Sequence, residues 1–325
     1  MYDEFYGVDR PPFTNIPDPE LLYLSPQHKR ARSILEYALR ARTGFCVITG
    51  DVGAGKTTLL RNVLRDIDLE LEIGLVSNTQ CDSFEEFLRW ILLAFDLDQK
   101  DKTKVELYDT FVKYLIDQYD LGRPVTLIID EAQHLGYKYL EQLRMLSNVN
   151  TERGLLLQTI LVGQPELWTL LRSPELEQFA QRISYDYFLA PLDTKQVTRD
   201  YIEYRLEKVG RVEPLFEEDT FAVIHQATGG VPRLINLLCD TALLYGFAEE
   251  KSTIDLAVVE QVVKDKEYSF SPIGKKNPAI STLTRLKNGE IAPVPGTTAG
   301  NDAETGKPDR PLTTVERAAL KLKDS

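Results

Sequence analysis

Gly50-Asp51-Val52-Gly53-Ala54-Gly55-Lys56-Thr57 is the stretch whose reading decides the fold. It fits G-x-x-x-x-G-K-[ST], with Gly50, Gly55, Lys56 and Thr57 on the fixed positions. Phosphate oxygens need donors at close range. Gly53 and Gly55 lack a Cβ, so the backbone can fold around an anion and turn its N–H groups inward. The helix expected from about Lys56 adds the positive end of its dipole. The whole run from Gly50 to Thr57, with Thr58 behind it, is the expected nucleotide-binding element. Lys56 should reach the β- and γ-phosphates, and the Thr57 hydroxyl should ligate Mg²⁺.

The flanks agree with that reading. Phe45 to Thr49 (FCVIT) reads as a short buried strand, and Thr58 to Leu64 (TLLRNVL) as a helix. Strand, glycine loop and helix form the arrangement that the motif requires. A second run, Leu127-Ile128-Ile129-Asp130-Glu131, extends an apolar strand and ends in two carboxylates. Open α/β sheets place their chemistry at the C-terminal ends of strands. Asp130 is expected to hold Mg²⁺ through water, and Glu131 to orient or deprotonate the attacking water. The ligands implied are ATP and Mg²⁺, and the reaction implied is ATP hydrolysis.

Outward from these motifs, strands alternate with helices. Strands are expected at 45–49, 71–77, 125–129, 156–162 and 185–189. Phe84, Phe87, Leu88, Ile91, Leu92 and Phe95 repeat with a period of 3.6 residues, as a helix does. Leu107, Phe111 and Leu115 mark another helix, and a further one is expected at 138–148. This alternation predicts a parallel sheet with helices on both faces. From 193 to about 268 the strand signals stop. Four helices are expected, at 194–208, 217–227, 232–246 and 255–266, with Gly229-Gly230 closing the second and Pro232 opening the third.

The expected organisation has four parts: a leading segment, 1–44; an αβα nucleotide-binding domain, 45–192; a small helical lid, 193–268; and a tail, 269–325. The leading segment is rich in Pro and aromatics up to Leu24, then helical from Ser25 to Arg42. Residues 269–312, rich in Pro, Gly, Thr and charge, should be disordered. Thr313 to Lys323 carries a capping box and could form one short helix.

Composition narrows the function. The 325 residues carry 38 Lys+Arg and 50 Asp+Glu, a net charge of −12. From Ser269 onward nine basic and six acidic residues give about +3, leaving about −15 on the rest. That balance disfavours broad DNA binding. The three cysteines, Cys46, Cys81 and Cys239, are far apart and suggest neither zinc site nor disulfide framework. There is no signal-peptide pattern, and the longest apolar stretch, around 155–162, is too short for a bilayer. The expectation is a cytoplasmic protein, with a peripheral place at the inner membrane through a partner as the alternative.

A glycine loop, a strand ending in Asp-Glu and a helical lid resemble the AAA+ ATPases. Three further runs sharpen the resemblance: Leu161-Val162-Gly163-Gln164-Pro165-Glu166-Leu167, Phe179-Ala180-Gln181-Arg182-Ile183, and Gly229-Gly230-Val231-Pro232-Arg233-Leu234-Ile235-Asn236. With the leading FYG, PPF and PDPELLYLS runs, residues 1–266 look like the ExeA/GspA family of general-secretion ATPases. Its relatives include pilus-biogenesis ATPases and transposition ATPases of the MuB/TniB type. The resemblance implies that Gln164 is the sensor holding the lytic water. It implies that Arg182 is an arginine finger acting on a neighbouring subunit, with Arg172 the competing candidate. Arg233 would contact the nucleotide from the lid, and residues 17–25 would form part of the adenine pocket. His134 reads as a surface residue at the strand exit, and His28 and His225 show no partner pattern.

The implied partners are further copies of the chain, in a ring or arc, and a membrane-associated complex. Members of the secretion branch often carry a membrane span after the lid and then a peptidoglycan-binding module, whereas residues 269–325 are polar. The implied function is ATP-driven assembly or remodelling of a bacterial envelope complex. Two alternatives are an ATP-dependent DNA-binding factor that recruits a transposase and a nucleotide-switched scaffold.

Overall fold

The computed structural model describes residues 2–267, apart from 17, 68–69, 78–80, 149 and 152–153, together with Ile273. The expected tail helix lies outside the described residues. Five parallel strands form the central sheet: β1 (Phe45–Gly50), β2 (Glu72–Val76), β3 (Val125–Ile129), β4 (Leu157–Gly163) and β5 (Ile183–Leu189). Their order across the sheet is β2-β3-β4-β1-β5. The expected α/β architecture with a parallel five-stranded sheet is therefore the observed one. The fifth strand begins two residues earlier than expected, and a register shift falls between Phe45 and Cys46 where β1 meets it. A short hairpin, Asn150–Thr151 with Gly154–Leu155, was not anticipated.

The continuous apolar runs of β1, β3 and β4 follow from burial on both faces. Side chains alternate between the faces with period two. Phe45 and Val47 of β1, Leu127 and Ile129 of β3, and Leu157 and Leu161 of β4 point into one core. Cys46, Ile48, Ile128, Ile160 and Val162 point into the other. The first core is closed by helices α3 (Phe84–Ala94), α4 (Lys104–Asp120), α5 (Gly136–Leu146) and α6 (Pro165–Leu171). The second is closed by α1 (Pro26–Ala41) and α2 (Lys56–Asp66). Ser83 caps α3, and Thr103 with Glu106 forms a capping box on α4. Burying each of Phe87, Phe111 and Phe179 contributes about 1.5–3 kcal/mol.

Among the described residues, four helices follow the sheet: α7 (Lys195–Glu207), α8 (Thr220–Thr228), α9 (Pro232–Ala248) and α10 (Leu256–Glu267). They share a core of their own, and the start of the chain contributes to it. Tyr6 and Phe13 are almost fully buried there; the Tyr6 hydroxyl donates to Leu243 O at 3.2 Å and Phe13 packs edge-on to Phe216. Tyr2 hydrogen-bonds Asp240. The leading segment thus fastens first to the helical bundle and then, through α1, to the sheet.

The turn between α8 and α9 touches the exit of β5. Leu192 N donates to Gly230 O at 2.8 Å, and a Cβ on Gly230 would lie 2.0 Å from Leu192 O at φ +70°. Gly230→Ala is therefore expected to cost about 3 kcal/mol or more, combining left-handed strain with a backbone overlap. Gly122→Ala, at φ +73° but in open space, should cost about 1 kcal/mol. Denaturant midpoints of the two variants check this; equal losses would show that the overlap is relieved without cost.

Candidate nucleotide site

The glycine loop follows β1 and opens α2 at the C-terminal edge of the sheet, where the strand order places β1 between β4 and β5. No side chain caps the N-terminus of α2, so its first N–H groups face the loop's concavity. Close backbone approach fixes the glycines. A Cβ on Gly50 would lie 2.3 Å from Leu189 O, and one on Gly53 would lie 2.5 Å from the Arg233 Cβ. A cavity of about 320 Å³ lies over the loop.

Val52, Gly53, Ala54, Gly55, Lys56, Thr57 and Thr58 line that cavity, and so do Glu131, Gln164 and Arg233. Gly50, Asp51 and Asp130 stand just behind this lining, each one contact away. Lys56 Nζ donates to Gly50 O at 2.7 Å and to Asp51 O at 3.0 Å. The Thr57 hydroxyl donates to Asp130 Oδ2 at 2.9 Å. Burial pushes the Lys56 ammonium below its usual range, opposed by the charges of Glu131, Asp130, Asp51 and Glu166. Burial also raises the Asp51 carboxyl, opposed by Lys56 and reinforced by Glu166.

Glu131 is the most constrained residue of the site. It leaves β3 at φ +54°, a left-handed conformation that a non-glycine residue holds only when its surroundings impose it. Its amide donates to Asp130 Oδ1 at 3.0 Å. Its Oε2 accepts from Gln133 Nε2 at 2.6 Å and from Gln164 Nε2 at 2.9 Å. Burial alone would raise its pKa, but the two amide donors together with Lys56 and His134 outweigh it and hold the carboxyl below the usual range. Gln133 Oε1 in turn accepts the Gln164 N–H at 3.0 Å. Gln133 therefore ties the end of β3 to the end of β4. Sequence reading passed over it, because a glutamine after the acidic pair carries no pattern of its own.

The far end of the cavity is built by the leading segment and the helical bundle. Thr14, Asn15, Ile16, Asp18 and Leu21 to Tyr23 line it from one side. Arg205 and Asn236 hold that segment in place. Arg205 donates to Pro12 O at 2.6 Å and Thr14 O at 3.2 Å, and Asn236 Nδ2 to Thr14 O at 3.2 Å. Arg205 stands in no motif, and Asn236 closes the GGVPRLIN run without that run showing that it binds the Thr14 carbonyl. From the bundle, Arg233 donates its backbone N–H to Gly53 O at 3.3 Å, so the bundle and the glycine loop are in direct contact.

The remaining sequence candidates fall elsewhere. Arg182 is exposed, 3.4 Å from both Arg144 O and Ser147 Oγ, and does not line the cavity. Arg172 is exposed and lies over the Trp168 ring at 4.4 Å. His134 is exposed. His28 and His225, for which the sequence shows no partner pattern, both have partners in the structure. His28 is buried between Ser25 and Ala54, and His225 Nδ1 is 2.8 Å from Thr198 Oγ1. Ser25 is a local helix-cap partner, whereas the Ala54 main-chain oxygen and Thr198 of a different helix are out of reach of a pattern search.

The AAA domain family matches residues 39–171. General secretion pathway protein A of Aeromonas hydrophila is 41% identical over 251 residues, which are 76% of this chain and 45% of that protein. The chain belongs to the AAA+ ATPase family of general secretion pathway protein A. It spans less than half the length of that relative. Solved structures share the family's fold at low identity. The ORC2 protein of Aeropyrum pernix aligns with a TM-score of 0.61 at 18% identity, over 79% of this chain and 72% of that one. Cdc6p from Pyrobaculum aerophilum gives 0.61 at 18%, over 80% and 72%. A Walker-type ATPase of Pyrococcus abyssi gives 0.55 at 16%, over 85% and 79%.

Membership in this family implies nucleotide binding, and the residues present fit both a triphosphate and its metal. The uncapped start of α2 suits an anion. The Thr57 hydroxyl and Asp130 carboxylate form an oxygen-only donor pair of the kind that Mg²⁺ prefers. Among the described residues no helix is long and apolar enough to cross a membrane.

Proposed function

We propose that this chain binds ATP with Mg²⁺, hydrolyses it as an oligomer, and couples turnover to assembling or remodelling a bacterial envelope complex. The observation that carries the hydrolytic part is the meeting of Glu131 and Gln164 at 2.9 Å above the glycine loop. A carboxylate held ionised and an amide that both donates and accepts are what an attacking water needs on its two sides. Lys56, now on the carbonyls of Gly50 and Asp51, would exchange them for phosphate oxygens. Thr57 and Asp130 would hold Mg²⁺, which supplies charge neutralisation on the phosphates. Glu131 would take the water's proton, and Gln164 would orient the water. Arg233 would carry the state of the site to the helical bundle.

In this reading residues 45–192 are the catalytic domain, 193–268 the lid, and 1–44 the segment that joins them. The envelope role rests on the likeness to general secretion pathway protein A, together with the acidic charge that disfavours nucleic acid. The same likeness supports a location at the cytoplasmic face of the inner membrane, reached through a protein partner.

Turnover measured against the chain's own concentration, with and without duplex DNA at low salt, tests the proposal. Phosphate contacts are strongest at low salt, so a DNA requirement would show there. Specific activity should rise with concentration and ignore DNA. Turnover that requires DNA would replace the envelope reading with the transposase-recruiting one. Flat specific activity would remove the oligomer.

A further inference from the structure

His28 is a buried imidazole beside the nucleotide cavity whose place no motif explains. It sits in the first turn of α1, 2% exposed, with Nε2 3.0 Å from Ala54 O and Nδ1 2.7 Å from Ser25 Oγ. A carbonyl oxygen only accepts, so Nε2 carries the hydrogen and donates it. Nδ1 is then the acceptor and takes the Ser25 hydroxyl hydrogen. The same Ser25 Oγ accepts the His28 backbone N–H at 3.3 Å as the helix cap. Burial lowers the imidazole pKa, with the Ala54 bond opposing, in keeping with a neutral ring.

The bond reaches the middle of the glycine loop. A trans peptide points its C=O and N–H in opposite directions. Holding Ala54 O toward α1 therefore turns the Gly55 N–H away from α1. The ring lies 3.1 Å from where a Cβ on Gly55 would stand, and Gly55 has φ +96°. Any side chain at 55 would thus crowd the imidazole as well as strain the backbone. Ser25, His28 and Gly55 form one device, with each residue type required by the next.

We infer that His28 is a positioning residue for phosphate recognition, its Nε2–H fixing the Ala54–Gly55 peptide so that the Gly55 N–H is presented to the phosphates of a bound nucleotide, with Ser25 setting the tautomer. The inference rests on the reading of the loop as a phosphate cradle. It deepens that reading by assigning a side chain, 26 residues upstream of Ala54, to the cradle's shape.

The test uses the full chain, a fluorescent ADP analogue, and inorganic triphosphate as a competitor that lacks a base. His28→Phe keeps a ring and removes the donor; His28→Gln keeps an N–H donor at similar reach. His28→Phe should weaken both ligands alike, by roughly five- to tenfold, the scale of one lost hydrogen bond. His28→Gln should recover most of that loss. Wild-type affinity in His28→Phe would overturn the inference, and so would a His28→Gln no better than His28→Phe. Loss of the ADP analogue with triphosphate affinity intact would also overturn it, placing His28 on the base side instead. If His28→Phe fails to fold, Ser25→Ala carries the test. It should weaken both ligands about threefold, and unchanged affinity would overturn the role given to Ser25 and His28. A wild-type chain that bound neither ligand would instead overturn the phosphate-cradle reading itself.

Discussion

Glu131→Gln should bind ATP as the unaltered chain does and turn it over about 10²–10⁴-fold more slowly. Glu131 Oε2 accepts from the amides of Gln133 and Gln164, and a glutamine can present an oxygen to the same two donors. The shape of the site therefore survives, and what disappears is the charge and the proton acceptor. Lys56→Ala is the contrasting variant, because it removes the phosphate partner and should fail at binding. A single-turnover assay beside a binding titration separates the two. Turnover in the unaltered chain as low as in Glu131→Gln would favour the scaffold reading.

Arg182→Ala should lower turnover by about 10³–10⁵, the range found when a finger arginine is removed. Arg182 is exposed and lies against the C-terminal end of α5, away from its own cavity lining. Action on a neighbouring subunit is the arrangement that gives such a residue a phosphate to meet. Mixing supplies the decisive measurement. An Arg182→Ala subunit has its Glu131, and a Glu131→Gln subunit has its Arg182. A site formed between them is complete, so the mixture should hydrolyse ATP where neither variant alone does. No recovery would place Arg182 within its own subunit or outside the chemistry. Arg172→Ala, which only removes the stack on Trp168, should leave turnover within a few-fold; a large loss there would transfer the finger to Arg172.

The sheet was legible because its signals are local. Phe45 to Thr49, the glycine loop and the apolar run before Asp130 each declare a strand and its exit within a few residues. Binding to a backbone oxygen leaves no such mark. His28 meets Ala54 O, Arg205 meets Pro12 O and Thr14 O, and Asn236 meets Thr14 O. Any residue can offer that oxygen, so no residue type at the far end announces the contact. Gln133 escaped for a related reason, since its partners Glu131 and Gln164 converge only once β3 and β4 lie side by side. The fate of Tyr6 and Phe13 was likewise hidden. The sequence marks them only as part of an aromatic-rich leading segment, and the three-dimensional structure alone places them in the core of the bundle about 200 residues later.

The order of the strands also bears on how the chain is made. β1 is hydrogen-bonded to β4 and β5 and to neither β2 nor β3. During synthesis, the strand that bears the glycine loop emerges early and then waits for about a hundred residues before its first neighbour arrives. Until Leu157–Gly163 has left the ribosome, both edges of β1 lack the strands that flank them in the finished sheet, and Gly50 lacks the Leu189 carbonyl that sets its path. Closing such distant pairings is slow compared with local contacts. A nascent chain of this protein can therefore carry the complete phosphate-binding sequence well before the strands that flank it in the finished sheet have arrived.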